Sequence, residues 1–342
     1  MISTRILLSV CLLAIGSFAQ QSWTQRNPGT VQPLQGVAWM GTQLVAVGNR
    51  GAVLTSPDAI TWTSRSPGTS RGLLGVAWNG SLLVAVGDSG TILTSANGIN
   101  WTARSSTATA AGTSIMGVTW AGSRWVMTSF DTLRTSQDGT NWTTVKSIPT
   151  SNCYSVAWTG TQWVAVGRAS KVLRTSDNGA TWGSVSGISG NRDLYSVMWT
   201  GSQLVAVGAS GLILTSPDGS VWAERNSGTT QTLYGVTGSS SQLVAMGTGV
   251  LLTSTDGITW IQRVSTASLL LAGGAPTGSQ FVVVGSDGGN TGTVFTAPQS
   301  GTGILLQWKT GHSPAWHSPG AYMLLKGIYS ADGRKPTLGF PR

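Results

Sequence analysis

Short apolar segments separated by polar turns recur along most of the chain at a constant spacing. Seven tryptophans mark the period, with successive members 38 to 41 residues apart: Trp23, Trp62, Trp101, Trp142, Trp182, Trp222 and Trp260. Each period contains four segments that are rich in Val, Leu, Thr and Trp and are bounded by Gly, Ser, Asn or Asp. This composition is typical of β-strands joined by turns. The pattern therefore predicts an all-β chain built from four-stranded repeats.

The second segment of each repeat is almost wholly apolar, as in Leu44–Gly48. A half-exposed strand would alternate apolar and polar residues, so both faces of this strand should be covered, as in stacked sheets. A repeat of about forty residues is also the length of one four-stranded propeller blade.

The first and last repeats are incomplete in complementary ways. The chain begins with only a fourth segment, at residues 23–26, and the last repeat, at residues 269–296, lacks its fourth. Six complete repeats and two fragments make seven units, and the N-terminal strand would remove the open edge of the last one. We therefore predict a seven-bladed β-propeller with four-stranded blades, closed by the N-terminal strand.

A short motif joins the third and fourth segments of each repeat, as in the run from Ser56 through Asp58 to Trp62. An Asp or Asn side chain accepts backbone N–H bonds in such a turn, glycine supplies a positive φ, and the tryptophan packs under the hairpin. The residues predicted to have these structural roles are Asp58, Asn97, Asp138, Asn178, Asp218 and Asp256, with Trp62, Trp101, Trp142, Trp182, Trp222 and Trp260.

These copies resemble Asp-box repeats, also called BNR repeats, which occur in sialidases, sortilin-type receptors and photosystem II assembly-factor propellers. The resemblance spans about residues 20–300, although the copies are one residue shorter than the usual Ser-x-Asp-x-Gly-x-Thr-Trp. It implies that the motif is structural and lies away from the functional face. The similarity to assembly-factor propellers further implies binding of a protein or precursor on the face that carries the channel mouth.

Both ends of the chain depart from the repeat. Residues 1–19 have a positive start, an apolar stretch and a small-x-small cleavage site, which predicts a signal peptide and a secreted, periplasmic or cell-surface protein. Residues 20–298 are predicted to form the propeller. Residues 299–342 form a C-terminal tail that loosely resembles sorting or anchoring segments of secreted bacterial repeat proteins, and a disordered extension is the alternative. No segment after the leader is long enough to span a bilayer.

The chain carries 20 basic and 11 acidic residues. This excess is typical of proteins that bind nucleic acids or anionic polymers. Many of the arginines, however, recur at one fixed place, three residues after the repeat tryptophan, which favours a structural role at the outer rim: Arg26, Arg65, Arg104, Arg225 and Arg263. We therefore expect no nucleic-acid partner.

A second set of residues falls in loops that should surround the channel mouth. The basic members, Arg50, Arg71, Arg168, Lys171 and Arg192, suit an anionic peptide or glycan. Tyr154, Tyr195 and Tyr234 occupy equivalent places before the innermost strand of three consecutive repeats. They are predicted either to form a shared binding surface or to pack between blades. We expect a monomer with one such face.

The sequence argues against catalysis. Its single glutamate, Glu224, lies in an outer strand, and the acids outside the turns are scattered, with Asp88, Asp193 and Asp287 in different mouth loops. Paired carboxylates for glycoside hydrolysis and clustered metal ligands are both missing, so we predict no cofactor and no metal. The leading hypothesis is a non-enzymatic binding or assembly scaffold, the second is a carbohydrate-binding propeller, and the third is a glycoside hydrolase.

Overall fold

The computed structural model describes residues 21–299, except for 106–112, 122, 130–131, 148–152, 178–180, 187, 189 and 289–290. The signal peptide predicted at residues 1–19 and the tail beyond residue 299 lie outside the described residues, so these two assignments stay predictions. In the described part, all regular structure is strand or single turns of 3-10 helix. No helix there is long and apolar enough to cross a membrane.

The strands form antiparallel sheets that follow the repeats. Sheet 1 holds β2 (Leu34–Trp39), β3 (Leu44–Gly48), β4 (Val53–Ser56) and β5 (Thr63–Arg65). Sheet 2 holds β6 (Leu73–Trp78), β7 (Leu83–Gly87), β8 (Ile92–Ser95) and β9 (Thr102–Arg104). Sheet 3 holds β10 (Ile115–Ala121), β11 (Arg124–Ser129), β12 (Thr132–Ser136) and β13 (Thr143–Ser147). Sheet 4 holds β14 (Cys153–Trp158), β15 (Trp163–Gly167), β16 (Val172–Thr175) and β17 (Gly183–Ser184). Sheet 5 holds β18 (Leu194–Trp199), β19 (Leu204–Gly208), β20 (Ile213–Ser216) and β21 (Ala223–Arg225).

The expectation of seven four-stranded blades is wrong, because the described residues form six sheets and the last of them has six strands. Sheet 6 runs in the order β1 (Thr24–Arg26), β26 (Gly292–Pro298), β25 (Gln280–Ser286), β24 (Ile261–Pro276), β23 (Leu243–Ser254) and β22 (Leu233–Gly238). The sixth and seventh sequence repeats thus share one hydrogen-bonded sheet, and the protein is a six-bladed β-propeller.

The fusion has a local cause in the missing turn residues. The second and third segments of the sixth repeat are separated only by Thr248 and Gly249, so β23 runs through both with a bulge at this point. The link from Val264 to Ser268 holds no glycine or proline, whereas the matching link after β5 contains both. Nothing therefore stops β24 from continuing out of the sixth repeat into the seventh.

The N-terminal strand closes the propeller at this sheet. Thr24 pairs with Thr296, and Arg26 pairs with Val294, so β1 lies antiparallel to β26 at the edge of sheet 6. The Trp23 ring is packed with its centroid 6.5 Å from that of Phe281. The complementary terminal fragments of the sequence thus meet in one sheet, as expected.

The apolar second strands form the cores between neighbouring sheets. Leu44 and Ala46 of β3 are completely buried toward sheet 6, and Val45 and Val47 are completely buried toward sheet 2. One strand therefore supplies side chains to two cores, which confirms that both of its faces are covered. This arrangement explains the lack of alternation in the sequence.

Small residues let the innermost strands approach one another around the axis. A Cβ on Gly36 would lie 3.4 Å from the Cα of Gly75, and one on Gly273 would lie 2.7 Å from the carbonyl oxygen of Gln35. Sheets 4 and 5 have serines at this place, and each hydroxyl accepts a backbone N–H from the next inner strand: Ser155 from Val197 at 3.2 Å and Ser196 from Val236 at 3.3 Å. We call this set the axial ring; its members are Gly36, Gly75, Gly117, Ser155, Ser196, Gly235 and Gly273.

The turns between third and fourth strands are built alike. In sheet 1 the Asp58 Oδ1 accepts the backbone N–H groups of Ile60 and Thr61, both at 2.8 Å, and Trp62 Nε1 donates to the carbonyl of Ala59 at 3.1 Å. Asn97, Asp138, Asp218 and Asp256 accept backbone N–H groups in the same way. The side-chain oxygens of these residues accept hydrogen bonds from their own turns, as expected for residues with a structural role.

In the turn of sheet 4 the hydrogen bonds are accepted by an aspartate one position before the asparagine that the sequence predicted for this role. Asp177, one residue before Asn178, accepts hydrogen bonds from Thr175 Oγ1 and from the N–H of Thr181, and Asn178 lies outside the described residues. Thr175 to Trp182 matches the longer spacing of the usual Asp box, with threonine in place of serine. The spacing of these residues in the sequence therefore already indicated that Asp177 accepts the hydrogen bonds of this turn.

Glutamines join four of the turns to a neighbouring sheet. Gln43 Nε2 donates to the carbonyl of Asn97 at 2.8 Å, Gln203 donates to that of Asp256 at 2.7 Å, and Gln162 donates to that of Asp218. Gln280 of sheet 6 donates to the carbonyl of Asp58 in sheet 1 at 3.0 Å. The last of these bonds connects sheet 6 to sheet 1. The propeller is therefore closed by a side-chain hydrogen bond as well as by the pairing of β1 with β26.

The close packing at strand ends predicts that two glycines differ in how much stability is lost when each is replaced by alanine. A Cβ at Gly208 would lie 2.0 Å from the backbone oxygen of Asp193, whereas at Gly36 its nearest neighbour is 3.4 Å away. Gly208→Ala should cost about 1–3 kcal/mol of unfolding free energy, because the backbone must move. Gly36→Ala, the matched control, should cost much less. Urea denaturation midpoints test this, and equal midpoints would contradict it.

The turn carboxylates predict a loss of stability in acid. Backbone N–H groups lower the pKa of Asp256, led by that of Thr259, and the pKa of Asp58 is lowered in the same way, led by Thr61. A lowered folded-state pKa stabilises the fold above the usual value of about 3.9, and this stabilisation disappears as the pH falls through the folded-state value. Asn97 shows that an amide can hold the same turn. Asp256→Asn should therefore lose less thermal stability than the wild type between about pH 6 and about pH 2. An unchanged acid response would contradict the role of this carboxylate.

Candidate functional site

The loops that carry the candidate residues meet at one end of the inner strands. In sheets 1, 2, 4 and 5 the chain makes a single 3-10 turn after the second strand. The first N–H of this turn is bonded to the carbonyl just before the inner strand in sheets 1, 2 and 5, as from Asn49 to Pro33 at 2.9 Å and from Ala209 to Asp193 at 2.9 Å. We call this end the mouth face. Arg50 and Arg168 belong to these turns, and Arg71 and Arg192 precede inner strands on the same face.

The three tyrosines lie at a bulge that recurs at the start of the inner strands. In β18, Leu194 pairs with Gly208 and Ser196 with Val207, so Tyr195 between them is the extra residue. Applying the same register to the other inner strands, including the second half of β24, defines a set that we call the bulge positions. Its members are Gln35, Leu74, Met116, Tyr154, Tyr195, Tyr234 and Ala272. All of them are half-buried.

Tyr154, Tyr195 and Tyr234 form one continuous row. The ring centroids of Tyr154 and Tyr195 are 5.3 Å apart with the planes inclined by 34°, and those of Tyr195 and Tyr234 are 5.3 Å apart at 48°. These separations lie in the range of favourable aromatic pairs. The rings thus pack against one another between sheets and are each half-buried, and their role as a shared binding surface stays a prediction. We call this row the tyrosine row.

Asp193 lies beside the middle ring of the row. Its Oδ1 accepts the N–H of Ala169 at 2.9 Å. Burial raises the pKa of Tyr195, and the charge of Asp193 raises it further. Both effects favour the protonated hydroxyl of the middle ring. This proximity was not visible in the sequence, where Asp193 was only a neighbour of Arg192.

Arg50 and Arg71 border one groove at the mouth face, between sheets 1 and 2. The groove has a volume of about 850 Å³ and is also lined by Gln32, Asn49 and Asp88. Arg71 donates to the carbonyl of Ser89 at 2.9 Å, and both arginines are exposed. Two exposed guanidinium groups beside polar side chains form a surface suited to a carboxylate or another anionic group.

The other basic candidates are separated from that groove. Arg168 is exposed in the turn of sheet 4. Burial raises the pKa of Cys153 to about 11, and the positive charge of Lys171 opposes this effect. Arg192 forms an ion pair of 2.6 Å with Glu224. The sequence predicted that Arg192 lies in a mouth loop and Glu224 in an outer strand. Because the two side chains are paired, Arg192 is the least available of the five basic candidates for contact with a ligand.

The acids of the mouth face belong to three different sheets. Asp88 accepts a hydrogen bond from Ser114 at 3.2 Å, and Asp287 accepts one from the N–H of Thr291 at 3.2 Å. These acids and Asp193 come from sheets 2, 6 and 5. Within the described ranges, no group of three or more His, Cys, Asp or Glu side chains could hold a metal ion.

The arginines that follow the repeat tryptophans have internal partners, as the rim interpretation predicts. Arg65 Nε donates to Thr55 Oγ1 at 2.9 Å, and Arg104, Arg225 and Arg263 donate to the matching threonines at 2.8 Å. Each bond joins the fourth strand to the third. These arginines are therefore part of the sheets.

Comparison with solved structures supports the β-propeller fold. The structure described as YCF48 bound to D1 peptide superposes with a TM-score of 0.68 at 18% identity, over 85% of this chain and 99% of that one. YCF48 from Cyanidioschyzon merolae gives 0.67 at 18% identity, over 81% and 99%. The WD40 β-propeller domain of Doa1 gives 0.64 at 13% identity, over 82% and 97%. No protein-family profile matches the chain, and no curated protein sequence matches it.

The environment of Tyr195 makes a prediction about its titration. Asp193→Asn removes a neighbouring negative charge and should lower the pKa of Tyr195, although burial, the larger cause, keeps it above the usual value of about 10. NMR of chains labelled with ¹³C at tyrosine Cζ measures this directly. Asp287→Asn, in sheet 6, is the control and should leave Tyr195 unchanged. A Tyr195 pKa that does not move in Asp193→Asn would show that the carboxylate is not beside the hydroxyl.

Proposed function

We propose that this chain is an exported, non-catalytic binding or assembly scaffold that holds a segment of a partner protein on its mouth face. The observation that carries the proposal is the tyrosine row, which lies on the same face as the exposed Arg50 and Arg71. Aromatic and arginine side chains are the types most enriched at protein-binding hot spots. The leader-like residues 1–19 support export.

The geometry of the tyrosine row favours a peptide over a carbohydrate. Sugar binding by aromatic residues needs free ring faces, and the middle ring, Tyr195, lies between two rings whose centroids are each 5.3 Å from its own. The hydroxyls of the row suit the carbonyl and N–H groups of a polypeptide. This is why the carbohydrate-binding alternative ranks second.

The charge of the mouth face favours a partner segment with acidic character. Arg50, Arg71 and Arg168 are exposed there, and Asp88 and Asp193 already have hydrogen-bond donors within the protein. The solved propeller bound to D1 peptide supports the idea that this architecture can hold a peptide. The internally bonded turns are consistent with kinship to Asp-box proteins, in which the motif is structural.

Catalysis is the least supported function. Retaining glycosidases need two carboxyl groups about 5 Å apart, and inverting ones need a pair at a somewhat larger separation. The acids of the mouth face come from three different sheets, and Glu224 is paired with Arg192. The described residues thus favour a binding surface over a hydrolytic site.

Affinity capture from envelope and medium fractions of the source cells tests the proposal. The chain from residue 20 onward is compared with an Arg50→Ala/Arg71→Ala variant. Removing two exposed guanidinium groups should lower retention of the partner about tenfold or more, because charge-assisted contacts are lost.

The matched control is Arg124→Ala/Arg174→Ala, which changes the net charge equally but acts on β11 and β16, outside the mouth loops. Arg192→Ala should have little effect, because Glu224 already pairs with this arginine. Equal retention by the mouth and control variants would refute binding through the mouth face.

A further inference from the structure

One of the bulge positions differs from its neighbours in the size of its side chain. Going around the axis from Tyr154, the side chains are Tyr195, Tyr234, Ala272 and Gln35. The alanine is in place between its neighbours: a Cβ on Gly235 would lie 2.6 Å from the Ala272 carbonyl oxygen, and one on Gly273 would lie 2.7 Å from that of Gln35. The strand is therefore packed at this point, and only the large side chain is missing.

The tyrosine row consequently ends at Tyr234. Tyr195 has a neighbouring ring on both sides, whereas Tyr234 pairs only with Tyr195 among the described aromatic side chains, and the next bulge position carries the methyl group of Ala272. Gln35 does not close this space, because its Nε2 is bonded to Asn49 Oδ1 at 3.2 Å, within its own sheet. Tyr234 is half-buried, so part of its side chain is exposed at the mouth face.

We propose that the space above Ala272 binds a flat aromatic side chain of the partner segment, as the fourth ring of the tyrosine row. The rings already follow one another at 5.3 Å, and a ligand ring on Tyr234 continues this spacing. The inference rests on the proposed peptide-binding function and names the side-chain class that the site selects.

A small fluorinated probe tests the site without the natural partner. Binding of N-acetyl-4-fluoro-L-phenylalanine amide to the full chain is followed by ¹⁹F NMR, with N-acetyl-L-leucine amide as a competitor. We expect the aromatic probe to bind, and the leucine amide to displace it at least about tenfold less well than unlabelled N-acetyl-L-phenylalanine amide. Equal displacement by both competitors would overturn the preference for an aromatic group.

Two variants locate the site. Ala272→Tyr fills the space with the residue that three other inner strands already carry at this position, and it should weaken probe binding at least about tenfold. Ala272→Ser, which leaves the space open, should bind within about twofold of the wild type. Tyr234→Leu removes the stacking platform and should weaken binding even if Ala272→Tyr folds poorly. Unchanged binding in Ala272→Tyr or in Tyr234→Leu would overturn the proposal.

The failure of this inference can be told apart from failure of the proposed function. If Arg50→Ala/Arg71→Ala no longer retains the partner but Ala272→Tyr binds the probe as well as the wild type does, the scaffold function is supported and the aromatic site is wrong. If Ala272→Tyr weakens probe binding as expected but Arg50→Ala/Arg71→Ala retains the partner as well as the wild type does, the aromatic site is supported and the wider function is wrong.

Discussion

The close approach of the inner strands at the axis is the constraint on which the rest of the structure depends. Every position of the axial ring carries glycine or serine, and at Gly273 a Cβ would lie only 2.7 Å from the backbone oxygen of Gln35. Where serine is present, its hydroxyl turns the approach into a hydrogen bond, as from Val197 to Ser155. The apolar second strands then fill the widening space between sheets. The axial ring makes it geometrically possible to pack the sheets around the axis. This packing is then stabilised by the turns, by the rim arginines and by the pairing of β1 with β26.

The axial ring also positions the candidate site. Each bulge residue stands immediately before a small residue of the ring, so its side chain has a fixed place at the mouth of the axis. Three consecutive repeats use this place for tyrosine, and their separation of 5.3 Å follows from the separation of the inner strands. The tyrosine row is therefore held by the inner strands, whereas Arg50 and Arg168 come from the turns. A rigid aromatic anchor with a charged surround suits recognition of a polypeptide segment.

Much of this architecture could be predicted from the sequence because it repeats. The period of the tryptophans identified the strands, the incomplete terminal repeats indicated that β1 would pair with β26, and equal spacing placed the three tyrosines together. The number of sheets was mispredicted, because strand continuity depends on turn residues that the sixth repeat lacks, at Thr248–Gly249 and between Val264 and Ser268. Contacts between distant residues were also missed. The Arg192–Glu224 pair joins positions 32 residues apart, and the equivalence of Ala272 to the tyrosines depends on the register of a bulge.

The central claim is that a partner polypeptide lies on the mouth face, beside the tyrosine row. Site-specific photo-crosslinking in the source cells tests it most directly, with p-benzoyl-phenylalanine placed at Arg71 in one chain and at Thr140, in a turn of the opposite face, in another. We predict that irradiation gives a discrete covalent adduct from position 71, and that mass spectrometry maps the adduct to one segment of the partner. The account would be contradicted by adducts that form from position 140 and not from position 71.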